Sequence, residues 1–296
     1  MTLPKFVEYP GDQTVAGPIL FHGMTMNIFA LPCDHGKIAA LCHGLIDTPS
    51  GGRVTFTPIL DRVIMTFLGC QDARFLGHEY RGRGQERELS FGIPGLISGP
   101  DCHTEGYGML MPFLFLDDPP AMLTGREEFG YFKQTGWITL PDDSAERGFA
   151  ADIYGIEKFD PHTIWGRLNL VRVNDLGDAA AEQPTGILDV FAALGVRTLG
   201  LAESLASLTV RQIFLKQFRD IEDGNRACYQ AITDTHYTIQ HLHGFSLLNR
   251  HDVLFTHLDS TPVADVLGIP AHLQGIHGVK VTMDMQLQRG RVLWKA

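Results

Sequence analysis

Gly125-Arg126-Glu127-Glu128-Phe129-Gly130-Tyr131-Phe132-Lys133 is the stretch on which the reading of this chain turns. It sets one lysine at the end of an aromatic, glycine-rich turn, shortly after the apolar run from Met109 to Leu116. An ammonium beside apolar surface is costly without a partner, and such a group tends to lose its proton instead. A neutral lysine is a nucleophile able to form an imine with a carbonyl compound. The chain carries seven lysines against seventeen arginines, and Lys133 has the most apolar company of the seven. Read without further context, a lysine after an aromatic turn is also an ordinary snorkelling surface residue.

An imine-forming lysine needs a proton carrier. Glu105, in Thr104-Glu105-Gly106-Tyr107-Gly108, leads directly into the Met109 to Leu116 run and is the candidate for that shuttle. Arg126, seven residues before Lys133, is a candidate anchor for a substrate carboxylate or a partner for a structural acid.

The wider chain bounds these ideas. At 296 residues it can bury a core without disulfides or metals. A formal charge of −10 argues against nucleic-acid binding, which needs clustered Lys and Arg. Arg81, Arg83 and Arg87 are interleaved with Glu79, Glu86 and Glu88, the texture of a solvated loop. The five cysteines are widely spaced and form no CxxC pair, which suits reduced thiols in a cytoplasm. Residues Met1 to Pro10 have no secretory pattern, and the run from Gly108 to Leu116 is too short to span a membrane. The expectation is a cytoplasmic protein with no membrane partner.

Short apolar runs between glycine and proline breakers predict a strand-rich fold. Strands are expected over Ile19 to Ala30 despite Gly23, Arg53 to Phe56, Arg62 to Leu68, Met109 to Leu116, Ile164 to Val173, Val210 to Phe218, Ala227 to His243 and Val279 to Leu293. Asp34 is a candidate N-cap for a helix through Cys42, stopped at Gly44. Ala121 to Tyr131 suits a short helix, as does Thr261 to Leu267, with Thr261 as cap and Pro262 at its first position. Gly77 to Gly106 reads as a long polar excursion. A helical insertion is expected around residues 176–208, with helices from Ile187 to Leu194 and Leu201 to Leu208. No linker is visible, so residues 1–296 read as one α+β domain around a mostly antiparallel, curved sheet.

No GxSxG elbow and no phosphate-binding GxxxxGK[ST] loop is present. His241 and His243 are two apart on an expected strand, so both face the same way, a geometry that metal sites use. No glutamate follows at the spacing of a cupin-type site, and exposed strand histidines are the plainer alternative.

The string Leu116-Asp117-Asp118-Pro119-Pro120-Ala121, followed by Gly125-Arg126-Glu127 and then Lys133, resembles the acetoacetate decarboxylase superfamily. There a D-x-x-P-A segment leads into G-R-E and a P-K-K tripeptide whose first lysine forms the imine. That family is the standard example of a lysine activated by a neighbouring cation. Phe21-His22-Gly23 to Ile28, Thr104-Glu105, and Met283-Asp284 to Val292 are similar to further family segments. The resemblance implies a cone-like β-barrel with peripheral helices, a homo-oligomer, and catalysis without metal or organic cofactor. It implies Lys133 as nucleophile and Glu105 in the active site. This chain departs from the family at several positions. Phe132-Lys133-Gln134 replaces P-K-K, so Gln134 stands for the assisting lysine and would orient substrate or lysine. Met24-Thr25-Met26 occupies the place of a pocket arginine. Met65 occupies that of a pocket glutamate and becomes a candidate pocket wall. Desolvation by methionine and phenylalanine is then the expected means of neutralising Lys133.

These residues point to a lysine-imine lyase, decarboxylating a β-keto acid other than acetoacetate. The same imine also serves an aldolase or dehydratase acting on an α-keto acid. A ligand-binding barrel that kept the pocket and lost the chemistry is the non-enzymatic alternative.

Overall fold

The computed structural model describes residues 4–100, 106–141, 148–177 and 209–296. Its first strand, β1 (Ile19–Pro32), forms through Gly23. Gly23 takes φ 58° at a bulge between Phe21 and Met24, a backbone that glycine adopts without steric cost. Asp34 then caps α1 (His35–Cys42), its side chain accepting from the Lys37 N–H. The chain does not stop at Gly44. It continues through a π-helical turn at His43–Asp47 into α2 (Thr48–Ser50) and ends at Gly51, in the left-handed region.

The remaining strands are β2 (Thr55–Pro58), β3 (Arg62–Phe75), β4 (Arg83–Ser98), β5 (Gly106–Leu116), β6 (Lys133–Thr139), β7 (Gly148–Gly155), β8 (Gly166–Asp175), β9 (Thr209–Arg219), β10 (Ala227–Phe255), β11 (His272–Leu287) and β12 (Arg291–Lys295). Two more short helices are α3 (Pro119–Thr124) and α4 (Val263–Leu267). The polar stretch expected to be an excursion is largely β4, a correction taken up below. In α4 the N-cap is Pro262, without a side-chain cap, rather than Thr261. Ile164 lies before β8 and is exposed, so it does not share the inward face of Leu170. The expected helices at 187–194 and 201–208 lie outside the described residues.

The strands form one sheet in the order β2-β4-β3-β1-β11-β10-β8-β7-β6-β5-β9, with β12 beside β10. Further pairings of β4 with β5 and β9 with β10 turn that path back on itself. All pairings are antiparallel except β5 with β6 and β5 with β9. The fold is thus α+β around a curved, mostly antiparallel sheet, but not a simple barrel. The reason lies in β10: its first part pairs with β9 up to Thr238, while its end from His251 to Phe255 pairs with β8. Among the described residues no helix is long and apolar enough to cross a membrane.

Because strand side chains alternate in direction, the sheet builds two apolar clusters. One gathers Phe29, Leu31, Met65, Phe67 and Phe91 with Ile38 of α1 and Leu267 of α4. Each of these fully buried side chains contributes about 1.5–3 kcal/mol. The other gathers Phe21, Met24, Met111, Leu114, Phe129, Tyr131, Phe214, Met283 and Met285. The second cluster surrounds the candidate site.

Candidate active site

Lys133 is the first residue of β6, at the end of the turn that precedes it. It lies opposite Leu114 in the parallel pairing of β5 and β6. Between those strands Asp118 caps α3 by accepting from the Ala121 N–H, and a π-helical turn at Gly125–Phe129 follows. Gly130, at φ 90°, reverses the chain into the Tyr131-Phe132-Lys133 approach.

Gly125 carries no side chain for a specific reason. A Cβ there would sit 2.7 Å from Lys133 Cδ and 3.1 Å from Cε, so the lysine stem occupies the space that any other residue would claim. Gly125→Ala is expected to displace the stem or the turn, with overpacking of roughly 1–3 kcal/mol. Urea denaturation of this variant, set beside Gly44→Ala where nothing lies within 4 Å of a new Cβ, checks it.

The Lys133 amine is buried between two carboxylates. Its Nζ donates to Glu86 Oε1 at 2.6 Å and lies 3.2 Å from Glu88 Oε2. The Tyr131 ring centre is 5.5 Å away. Both glutamates are buried on β4, which pairs with β5, so the lysine reaches across β5 to meet them. They were read as members of a solvated, charge-mixed loop, and that reading is corrected here. Glu86, Glu88 and Ser90 alternate inward, with Arg87 and Leu89 opposite. The residues from Arg83 to Glu88 are all polar or glycine, so no hydropathy alternation marks these two glutamates, and the only local hint is the apolar run that follows from Leu89.

The electrostatics also differ from the expected desolvated, neutral lysine. Burial pushes the amine's pKa down, but Glu86 and then Glu88 outweigh it and hold the amine above its ordinary value. Burial raises the Glu88 carboxyl from 4.5 to about 7, against the pull of Lys133 and with Glu86 adding to the rise. A carboxyl whose folded pKa lies above its unfolded one stabilises the fold most below the unfolded value. That contribution is lost as pH rises from 4.5 through about 7. Glu88→Gln is expected to flatten the stability profile across this window, measured by urea midpoints at pH 4.5, 6 and 8.

The other candidate residues are placed as follows. Arg126 is exposed, donates from Nη1 to the Lys133 carbonyl at 2.9 Å and lies 5.3 Å from the Phe132 ring centre. This bond makes it a brace on the lysine's backbone. Gln134 follows Lys133 on the strand, so its side chain leaves from the opposite face of β6. Met65 packs with Phe29, Phe67 and Phe91 in the first cluster, away from the wall around Tyr131. Glu105 lies outside the described residues. His243 Nε2 is 2.9 Å from Asp284 Oδ1, and the His241 and His243 ring centres are 4.7 Å apart. Among the described residues no group of three or more His, Cys, Asp or Glu is arranged to hold a metal ion.

A cavity of about 330 Å³ has Glu86 in its wall, with Ile19, Phe21, Ala73 and Phe75 supplying apolar surface. Gln13, Val15 and Arg81 also line it. Arg81 donates to the carbonyls of Asp12 at 2.6 Å and Thr14 at 3.2 Å, which ties this N-terminal segment beside the cavity.

No protein-family model matches the sequence, and no curated protein matches it. Solved structures do match. The acetoacetate decarboxylase of Legionella pneumophila aligns with a TM-score of 0.63 at 15% identity, covering 100% of this chain and 93% of that one. An acetoacetate decarboxylase-like enzyme from Sphingomonas wittichii aligns at 0.62 and 12% identity, covering 98% of each chain. The enduracididine biosynthesis enzyme MppR complexed with pyruvate aligns at 0.61 and 13% identity, covering 96% of this chain and 93% of that one. The chain therefore has the acetoacetate decarboxylase-like fold.

Proposed function

We propose that this chain is a lysine-imine lyase that decarboxylates a β-keto acid. The observation that carries the reading is the buried Lys133 amine set between Glu86 and Glu88. Three ionisable groups in one apolar chamber are expensive to keep, and such perturbed clusters concentrate at functional sites. The fold shared with acetoacetate decarboxylase and MppR supports it.

The roles follow from the geometry. Glu86, at 2.6 Å, takes the ammonium proton and frees the lone pair of Nζ to attack the substrate carbonyl. Glu88, raised to about 7, is part acid near neutrality and donates a proton to the carbinolamine oxygen, which leaves as water. The iminium then accepts the electron pair of the bond to the carboxylate carbon, carbon dioxide departs and an enamine remains. Protonation of the enamine carbon and hydrolysis return the ketone and the free lysine. The proton-carrying role expected of Glu105 from its place before the Met109 to Leu116 run is here given to two residues of β4. Glu86 also lines the 330 Å³ cavity, together with Arg81, Arg83 and Asp118.

A second reading rests on one observation. Structures of MppR hold pyruvate and a condensation product of pyruvate with imidazole 4-carboxaldehyde, chemistry that an imine on an α-keto acid also supports. Borohydride reduction with β-keto acids and with pyruvate in parallel, followed by peptide mapping, separates the readings. A label on Lys133 with evolution of carbon dioxide supports the first. A label with pyruvate alone selects the second. A label on another lysine, or none, sinks both.

A further inference from the structure

Gln212 of β9 is buried among the apolar residues of the second cluster, 8% exposed. Its Oε1 accepts from the Tyr131 hydroxyl at 2.6 Å. That hydroxyl also lies 3.2 Å from Thr235 Oγ1. Burial first, and then Tyr237, hold the Tyr131 phenol well above its ordinary pKa, so it stays protonated as a donor. The other end of the amide, Nε2, faces the Met111 sulfur at 2.9 Å. A thioether is a weak acceptor, and a primary amide carries two N–H donors. Folded proteins leave few buried donors so weakly matched, and each calls for a physical explanation.

We propose that the Gln212 amide, held by Tyr131, binds the carboxylate of the keto acid whose carbonyl reacts at Lys133. This rests on the imine reading above and adds the residue that recognises the acid. Tyr131 joins the two ends of the site: its ring lies beneath Lys133 Nζ and its hydroxyl fixes the amide. Glu86 and Glu88 repel a carboxylate from their flank of the amine, which directs it across the ring toward Gln212. Met111, and Phe214 with its ring centre 4.2 Å from that of Tyr131, make this end apolar. A neutral amide also suits the chemistry. Decarboxylation discharges the carboxylate as carbon dioxide, so a guanidinium would stabilise the reactant more than the transition state. An amide orients the group and holds it less tightly. The substrate class is therefore a β-keto acid with an uncharged, apolar remainder.

The test compares 3-oxohexanoate with 2-pentanone, the ketone it yields, by borohydride labelling of Lys133 against concentration. In Gln212→Met the half-saturating concentration of the acid is expected to rise tenfold or more, while that of the ketone stays within twofold. Gln212→Asn, which keeps the donors one methylene further back, is expected to give a smaller shift of the same kind. It carries the comparison if thermal melts show that the methionine variant does not fold. Equal changes for acid and ketone, or no change for either, overturn the assignment of Gln212 and leave the imine reading standing. Absence of label in the parent protein with both compounds overturns the imine reading and this proposal with it.

Discussion

Lys133→Met is expected to abolish the borohydride labelling and carbon dioxide release proposed above, and to make the stability of the protein strongly dependent on pH. The first effect follows from loss of the nucleophile. The second follows from the two carboxylates left behind. Lys133 is the cation that Glu86 and Glu88 share, and removing one member of a buried charge cluster costs about 3–5 kcal/mol. The remaining carboxyls respond by holding protons. Their folded pKa values then rise above the unfolded carboxylate range. The variant is therefore most stable below that range and loses stability as pH rises through the raised folded values. Urea denaturation at pH 5 and pH 8 should show a much larger deficit, relative to the parent, at pH 8. Adding Glu86→Gln and Glu88→Gln to Lys133→Met removes the stranded charge and should recover most of it. A deficit of equal size at both pH values would contradict the buried cluster.

Glu86→Gln moves the pH dependence of imine formation toward acid. In the parent protein burial favours the neutral amine, and the carboxylates, Glu86 foremost, override it. Glutamine keeps the shape and withdraws the charge, so burial meets less opposition and the amine's pKa falls. More of the amine is then neutral at a given pH, and the alkaline limb of the labelling profile should shift down by about one unit or more, each unit being about 1.4 kcal/mol. The maximal turnover should fall at the same time, on the order of 10²-fold, because the proton acceptor at 2.6 Å is gone. Labelling rates and turnover measured from pH 5 to 10 separate the two effects. An unmoved limb would mean that Glu86 does not set the charge of Lys133.

The elements legible in the sequence were those with local causes. Asp34 caps its helix through its own neighbourhood, β1 passes Gly23 by a bulge, and the run Met109 to Leu116 is apolar enough to declare β5. Glu86 and Glu88 were misread for the complementary reason. Between Arg83, Arg87 and Glu79 they have the local composition of a solvated segment, and only burial against Lys133 makes them part of a core. Met65 and Gln134 were carried over from family positions, and neither spacing said which face of its strand each side chain would leave from. Arg126 was placed near the lysine correctly in sequence, but its guanidinium reaches the backbone carbonyl.

Residue order alone singles out Lys133 and the turn that leads up to it. Gly125 leaves room for the lysine stem, Gly130 turns the chain, and Tyr131 and Lys133 follow at local spacing. The charge state of that lysine comes instead from packing between distant segments. Its closest partner lies 47 residues away, on a strand separated from its own by β5. Charge interactions depend on distance through space and on burial, neither of which residue order records. An amine expected to be emptied of its proton by apolar walls is instead held charged by two carboxylates.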